Sequence, residues 1–502
     1  MKSSRVNKSR LLCKGILFFV VLSLLFSCSP SAATPKEQSQ DGADGMWLYR
    51  DFSALEFTRE NGEVTTLKAE NPGLIVAVYW ASWCPYCKTA LENIDETLRI
   101  AGEENARLVL INKLDGEKES AQSANAYLAE HEISAENWMD DGLHSYNEIG
   151  MNVIPTVLVF DGQTRLMGVV EGRMPNAEEL RSMLKNAAQG NPARVMNAVE
   201  SIMVRGDGGV ETISQPGVLS ESQGLLMLAA LGNGDADLYE SLYRYVETHK
   251  TSAGLVSWQD NSTVNALIDD LRIYRAMKAY GINEQTLLAY SDAMFNGNVN
   301  NGRLVDFIDA ENSVKATRFT LCYGDFEAMN LLSEIDGRWK KIYNDALSIV
   351  KGGIISEAFP LFHSWYDYET GMYKGGSLNM AEAMVTLLNL ARIGELPAQS
   401  LEWLSNRMDE GYIYAVYDSD GRPNREGMYE STAVYAIIVQ IAMEEGCMDL
   451  ALKAVTRMEA LRIRNGSIAA DGAFGNADGS GFYSFDQLTA LLAYQRLQEV
   501  TY

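Results

Sequence analysis

The run Leu74-Ile75-Val76-Ala77-Val78-Tyr79-Trp80 constrains this chain more than any other stretch. It is continuous and apolar, as a strand buried on both faces must be, and such strands belong to sheets with helices on either side. Just beyond it stands Trp83-Cys84-Pro85-Tyr86-Cys87, whose two thiols can close a small disulfide. From Lys88 to Ile100 the apolar residues Ala90, Leu91, Ile94 and Leu98 return with a helical period. A cysteine that opens a helix presents its sulfur to the helix's positive end, which favours the thiolate. Strand, CxxC and helix in that order point to redox chemistry. A CxxC is also half of a zinc site, but no second CxxC and no paired histidine follow in this segment. Neither a metal nor any other cofactor is expected.

Strand and helix patterns continue to alternate downstream. Residues 107–112 and 157–160 read as strands, with a helical stretch from Ser120 to His131 between them. Asp161-Gly162 signals a hairpin whose returning strand is Leu166 to Val170, and a helix from Ala177 to Ala188 closes the region. Within this frame, residues 78–87 resemble the active-site segment of the thioredoxin superfamily, and Val153-Ile154-Pro155-Thr156 resembles its cis-proline loop. The resemblance covers Met46 to Ala188. It implies that Cys84 is the attacking thiol, that Cys87 resolves the mixed disulfide, and that Trp83 and a cis Pro155 meet the extended chain of a protein disulfide or dithiol partner. Two departures matter. Thioredoxin itself has a buried acid where this chain has Val78, so proton transfer to Cys87 takes another route. Pro85-Tyr86 replaces Gly-Pro between the cysteines and leaves the direction of electron flow open.

The chain begins with a basic segment (Lys2, Arg5, Lys8, Arg10, Lys14) followed by an apolar stretch from Gly15 to Phe26. That stretch is too short to span a bilayer comfortably and reads as a signal peptide. It ends Leu25-Phe26-Ser27-Cys28, which resembles a bacterial lipobox. The resemblance implies that Cys28 becomes the lipid-modified first residue of a membrane-anchored envelope protein, with Ser29 to Asp44 as a flexible tether. An ordinary cleaved signal is the alternative. Either way the mature chain lies outside the cytoplasm, where disulfide chemistry is possible. A formal net charge of -25 argues against nucleic acid as a partner, because phosphate binding needs a basic surface. Once Cys13 leaves with the signal, Cys322 and Cys447 remain, both in apolar helical runs. Spacing leaves open whether they pair or stay as free buried thiols.

At Gly190-Asn191-Pro192 the character of the chain changes. Beyond it lie roughly a dozen helical segments, among them residues 221–231, 238–249, 264–280, 339–350, 380–393, 432–444, 450–461 and 485–497. No fixed repeat recurs, so a closed array of paired helices is expected rather than a solenoid. Ser220-Glu221-Ser222-Gln223-Gly224 opens one helix, and Ser220 with Gln223 fits a capping box. In the helix of residues 264–280, Val264, Leu267, Ile268, Leu271, Tyr274 and Met277 share a face. Asp270 falls on its edge and Asp269 points away.

Together these segments resemble family 8 glycoside hydrolases, whose fold is an (α/α)6 barrel. The acid motif Ser-Glu-Gly-Gln-Gly is matched by residues 220–224 except at Ser222, and Asp270-Leu271-Arg272-Ile273 matches the second aspartate of the next motif. The resemblance implies that Glu221 is the general acid and that Asp270 binds the sugar at the cleavage point. It implies a late aspartate as general base, and Asp367 after Tyr366 is the candidate, although the family's Arg-x-Pro-Trp-Arg is missing. Inverting hydrolysis needs an acid and a base about 6.5–9.5 Å apart, with Glu221 kept protonated by burial and Asp367 kept ionised. Glu430 and Asp486 are further acidic helix starts. Trp258 and Tyr366, among several loop aromatics, are candidates to stack on sugar rings.

The expected architecture is therefore multidomain, α/β followed by all-α. It comprises a signal segment at 1–28, a tether at 29–45, a thioredoxin-like domain at 46–189 and an (α/α)6 barrel at 190–502. The expected function is thiol-disulfide exchange joined to hydrolysis or binding of a β-linked polysaccharide. The alternative is an oxidoreductase whose barrel is an inactive glycan-binding or scaffolding module.

Overall fold

The computed structural model describes residues 46–70, 73–212 and 215–498, so the signal segment, Cys28 and the tether lie outside the described residues. The apolar run forms β3 (Leu74–Trp80), an interior strand of a seven-stranded sheet of order β2-β1-β5-β4-β3-β6-β7. Here β1 is Glu56–Arg59, β2 Val64–Thr66, β4 Ala106–Leu114, β5 Glu136–Asp141, β6 Thr156–Phe160 and β7 Leu166–Glu171. Strands β3, β4 and β5 run parallel, while β6, β7, β1 and β2 add antiparallel edges. The side chains of β3 feed two cores in alternation. Val76, Val78 and Trp80 join Cys87, Leu91 and Leu180 on one face, and Ile75, Ala77 and Tyr79 join Phe57, Trp138 and Tyr146 on the other. That double burial is why the strand carries no polar alternation.

The expected helix over residues 88–100 is broken into α1 (Pro85–Leu91) and α2 (Ile94–Glu103), where Asp95 and Glu96 complement the dipole of a new N-terminus. Strand β5 has no apolar signature because its polar side chains are paired inside the fold. Asp140 accepts from the backbone N–H of Ser145 (2.9 Å) and Tyr146 (2.7 Å), and Asn137 accepts from the Trp80 indole at 3.0 Å. Helices α3 (Ala121–Glu130), α4 (His144–Ile149) and α5 (Ala177–Gln189) complete this part.

The second part is a ring of helical hairpins. The outer helices are α6 (Asn191–Met203), α8 (Ala236–Thr248), α10 (Glu284–Asn298), α12 (Trp339–Lys351), α14 (Ala398–Asp409) and α16 (Met448–Glu459). The inner helices are α7 (Ser220–Gly232), α9 (Leu267–Tyr280), α11 (Phe326–Ile335), α13 (Met380–Ala391), α15 (Thr432–Glu444) and α17 (Ser484–Gln498). Each inner helix packs on the next, and α17 returns to α7, which closes an (α/α)6 barrel. Outer helices are amphipathic: α12 buries Trp339, Ile342, Ala346 and Val350 at helical spacing. Inner helices are more fully covered: every residue of α15 from Thr432 to Ala442 is buried, although α11 leaves Asn330 and Glu334 exposed. This overturns the placement of Asp269 on an outward face, because α9 has no outward face there and both of its aspartates are buried.

A buried polar seam joins the two parts. Asn191 donates to Glu459 Oε1 at 2.8 Å and to the Tyr49 hydroxyl, and Glu459 pairs with Arg462 and accepts from Tyr494. Ser182 donates to Asp471 at 2.6 Å, and Asp471 also pairs with Arg194. Cys322 lies in a short 3-10 turn (Leu321–Tyr323) and Cys447 just ahead of α16, outside the helical runs expected for them; both thiols are free.

Candidate active sites

The thiol site is built where β3 ends and α1 begins. Cys84 is the N-cap of α1, and its Sγ receives the Cys87 backbone N–H at 3.2 Å and the Cys87 thiol at 2.6 Å. Burial raises the Cys87 thiol well above its ordinary pKa, reinforced by its hydrogen bond to Cys84, so Cys87 holds its proton. The Ile154–Pro155 peptide is cis, and the Ile154 carbonyl lies 3.7 Å from Cys84 Sγ. Trp83 and Tyr86 flank the pair and are exposed, as is Val153 on the facing loop. Val78 is fully buried beneath the site. Sequence reasoning missed buried Glu119, which accepts from the Ser82 backbone N–H (2.6 Å) and hydroxyl (2.9 Å) and so fixes the loop before Cys84. Glu119 lies 35 positions from Cys84, so no local pattern announces it.

The barrel site gathers at the N-terminal ends of the inner helices. The expected capping box on α7 does not form. Ser220 instead donates to Asp269 at 2.5 Å, and Gln223 ties Val210 N–H (3.1 Å), Gly208 O (2.8 Å) and Leu242 O (3.0 Å) together. Ser222 donates to Ser484 at 2.7 Å, linking α7 to α17. Gly224 lets α7 approach α9, since a Cβ there would lie 3.1 Å from Arg272 Cβ and 3.3 Å from Ile273 Cγ1. Glu221, left at the end of α7, is buried with Arg272 Nη1 at 3.7 Å, and the same nitrogen lies 3.4 Å from Asp269. Burial pushes the Glu221 carboxyl up to about 8; Arg272 opposes this and the Asp269 charge adds to it. A carboxyl that stays protonated near neutral pH is what a general acid requires.

The other expected residues are placed as follows. Asp270 accepts from Val256 N–H (3.1 Å), Asn265 (2.7 Å) and the Tyr290 hydroxyl, and burial pushes it up to about 7. It braces the loop that precedes α9. Asp367 ends β9 (Trp365–Asp367), which pairs with β8 (Arg318–Thr320) and β10 (Met372–Lys374). Its carboxylate receives Lys374 at 2.6 Å and the N–H groups of Glu369 (3.0 Å) and Thr370 (2.9 Å). Lys374 first, and the Thr370 N–H next, pull it down to about 2. It is ionised, as expected, but is held by its own hairpin and is a very weak base. Trp258 is packed in the helical core, where its carbonyl receives Ser220 N–H at 3.1 Å. Tyr366 packs edge-on to Tyr368 and Tyr373 and stays half-buried. Asp486 caps α15 through the Ala433 N–H at 2.9 Å, and Glu430 pairs with Arg457 on α16.

Residues 61–188 match the family model of a thioredoxin-like domain. The helical part is similar to a novel alpha-amylase from Clostridium perfringens, with 28% identity over 61% of this chain and 97% of that chain and a TM-score of 0.58. The endo-beta-1,4-glucanase CMCax from Acetobacter xylinum matches at 18% identity over 62% and 100% of the two chains, with a TM-score of 0.46. Endoglucanase Cel10, a family 8 glycosyl hydrolase from Klebsiella pneumoniae, matches at 15% identity over 60% and 99%, with a TM-score of 0.44. No curated protein matches the chain. The molecule is thus a thioredoxin-like domain followed by an (α/α)6 barrel similar to the alpha-amylase from Clostridium perfringens.

Proposed function

We propose that this is an extracytoplasmic, lipid-anchored thiol-disulfide oxidoreductase fused to a polysaccharide hydrolase. The redox half rests on the Cys84–Cys87 geometry. The Cys84 sulfur attacks a partner disulfide, the partner's leaving sulfur departs as a thiolate, and Cys87 resolves the mixed disulfide once it gives up its proton. The reverse sequence oxidises a partner dithiol. Trp83 and the Pro155 loop receive the partner chain. Anchoring through Cys28 rests on residues 1–28 alone.

The hydrolytic half rests on one observation, the buried carboxyl of Glu221 held beside Arg272 and Asp269 at the end of the barrel. Glu221 protonates the leaving oxygen, and Asp270 holds the loop before α9 in place. The expectation of a β-linked glucan meets the similarity to an alpha-amylase from Clostridium perfringens, so an α-glucan belongs beside it as a substrate class. The inactive-barrel alternative is favoured by Asp367, whose carboxylate is committed to its hairpin turn.

The test is reducing-sugar release from carboxymethylcellulose, mixed-linkage β-glucan and soluble starch by the soluble protein without residues 1–28. Glu221→Gln runs as the control. Release that vanishes in the control supports the hydrolase, and no release from any of the three supports the binding or scaffolding barrel.

A further inference from the structure

Resting on the reading of the barrel as a hydrolase with Glu221 as its acid, the geometry points to Glu382 as the second catalytic carboxyl, the one that takes the proton of the attacking water. The inner ring runs α7, α9, α11, α13, α15, α17 and back to α7, so α7 and α13 stand opposite each other across the axis. Both line one axial cavity, α7 with Leu225 and Leu228 and α13 with Val385 and Asn389. Glu221 lies four and seven residues before the first pair, and Glu382 three and seven before the second, so each carboxyl crowns the stripe of its helix that faces the axis. Arg272, the partner of Glu221, lines the same cavity.

Glu382 differs from every other buried acid at this end of the barrel in having nothing to hold. Asp269 has Ser220 and Arg272, Asp270 has three donors, Asp306 has Arg318 and Thr320, and Asp486 has the cap of α15. Glu382 is only 6% exposed as a residue, and its carboxyl feels Arg318 and Asp306 through space but has no hydrogen bond or ion pair among the described residues. A buried carboxyl without a partner is costly, and such groups persist where they are used. Its surroundings are the Arg318 guanidinium and the Asp306 carboxylate, and its own charge acts on Glu221 and on the Cys322 thiol. Burial, opposed by Arg318 and aided by Asp306, pushes Glu382 up to about 7, which makes its anion a far stronger base than the Asp367 carboxylate held near 2. The residue sits in the first turn of α13, where the helix dipole supports the anion.

In the step this supports, a water oxygen bonds to the anomeric carbon as the glycosidic carbon–oxygen bond breaks. The water's proton passes to Glu382, the Glu221 proton passes to the leaving oxygen, and both carboxyls return to their starting states by exchange with solvent.

The test compares wild type, Glu221→Gln and Glu382→Gln on carboxymethylcellulose, mixed-linkage β-glucan and soluble starch. The 2,4-dinitrophenyl glycosides of cellobiose and maltose, whose leaving group needs no proton, are run beside them. Thermal melts report folding. Both variants are expected to lose about 10²–10⁴-fold in kcat on the polysaccharide, with KM changed little. On the dinitrophenyl glycoside Glu221→Gln recovers and Glu382→Gln does not, and Glu382→Asp restores part of the polysaccharide rate. A folded Glu382→Gln that keeps its polysaccharide rate, or that recovers on the activated glycoside, overturns the assignment while leaving Glu221 in place. Loss on Asp367→Asn with retention on Glu382→Gln returns the base to Asp367 and also overturns it. No hydrolysis by the wild type overturns the hydrolase reading itself, and the assignment falls with it.

Discussion

The thioredoxin-like domain and the barrel bring their candidate reactive groups together by opposite means. In the first, the reactive atom and its tuning partner are three residues apart. Cys84 and Cys87 meet because one turn of α1 brings them together, and the helix N-terminus supplies the field. In the second, Glu221, Asp269, Arg272 and Glu382 come from three helices, and no short motif contains them. Their tuning comes from burial, which exists only once the ring has closed. A local site survives changes far away, whereas a site made by closure depends on every seam of the ring.

The largest expected effect tests the local half. Cys84→Ser removes the attacking sulfur and should reduce disulfide exchange to the solution background, while Cys87→Ser should still attack and accumulate a mixed disulfide visible on a non-reducing gel. Exchange that survives in Cys84→Ser would break the view that one sulfur does the attack.

Glu459→Gln comes next and tests the dependence on seams. It leaves Arg462 buried without its carboxylate and weakens the contacts to Asn191 and Tyr494. Breaking such a pair costs about 3–5 kcal/mol, which chemical denaturation can read. The thiol site should keep its exchange rate while the barrel loses stability. Equal losses in both would show that the two sites are not independent.

A smaller effect, with a definite sign, comes from pH. Burial raises Glu221 to about 8 and Glu382 to about 7, so the folded state favours their neutral forms more than the unfolded chain does. The stability they contribute is fully present below the unfolded value near 4.5 and is lost as pH rises through the folded values. Glu221→Gln cannot ionise. Its melting temperature relative to wild type should therefore rise between about pH 5 and pH 9. Wild-type hydrolysis should also decline above about pH 8, where the acid loses its proton. A melting gap that stays flat with pH would show that Glu221 is not tuned by burial.

The smallest effect sharpens how tightly the ring must close. Gly224→Ala puts a methyl 3.1 Å from Arg272 Cβ and should cost about 1–3 kcal/mol by overpacking. Because Arg272 also faces Glu221, the pH limb assigned to Glu221 should move with it. A stable variant with an unchanged pH profile would show that α7 and α9 have slack at this contact.

Reading the residues in order went far in one domain and stopped short in the other. The double-sided strand, the CxxC at a helix start, the hairpin at Asp161 and the cis Pro155 that the resemblance implied were all visible. Strand β5 was not, because Asp140 and Asn137 are paired inside the fold and leave no apolar pattern. In the barrel, Glu221 could be picked out from its motif and most helices from their periodicity. The orientation of Asp269 was misjudged because a helical wheel assumes one wet face, and α9 has none at its first turns. Trp258, a candidate for stacking on a sugar, is buried in the helical core, and the Ser220–Gln223 cap gave way to contacts with Asp269, Val210, Gly208 and Leu242.

By itself the sequence determined the elements whose cause is local: a strand with no polar face, a thiol pair one turn apart, most of the helical segments, and the break at Gly190. Only the tertiary structure decided which carboxyls stand at one end of the barrel, which of them are already paired, and that Glu382 has no side-chain partner among the described residues. The physical reason is range. Periodicity, capping and thiol spacing act over a few residues along the chain. Burial and charge coupling act through space, between groups 161 positions apart such as Glu221 and Glu382, and they take a value only when the ring is closed.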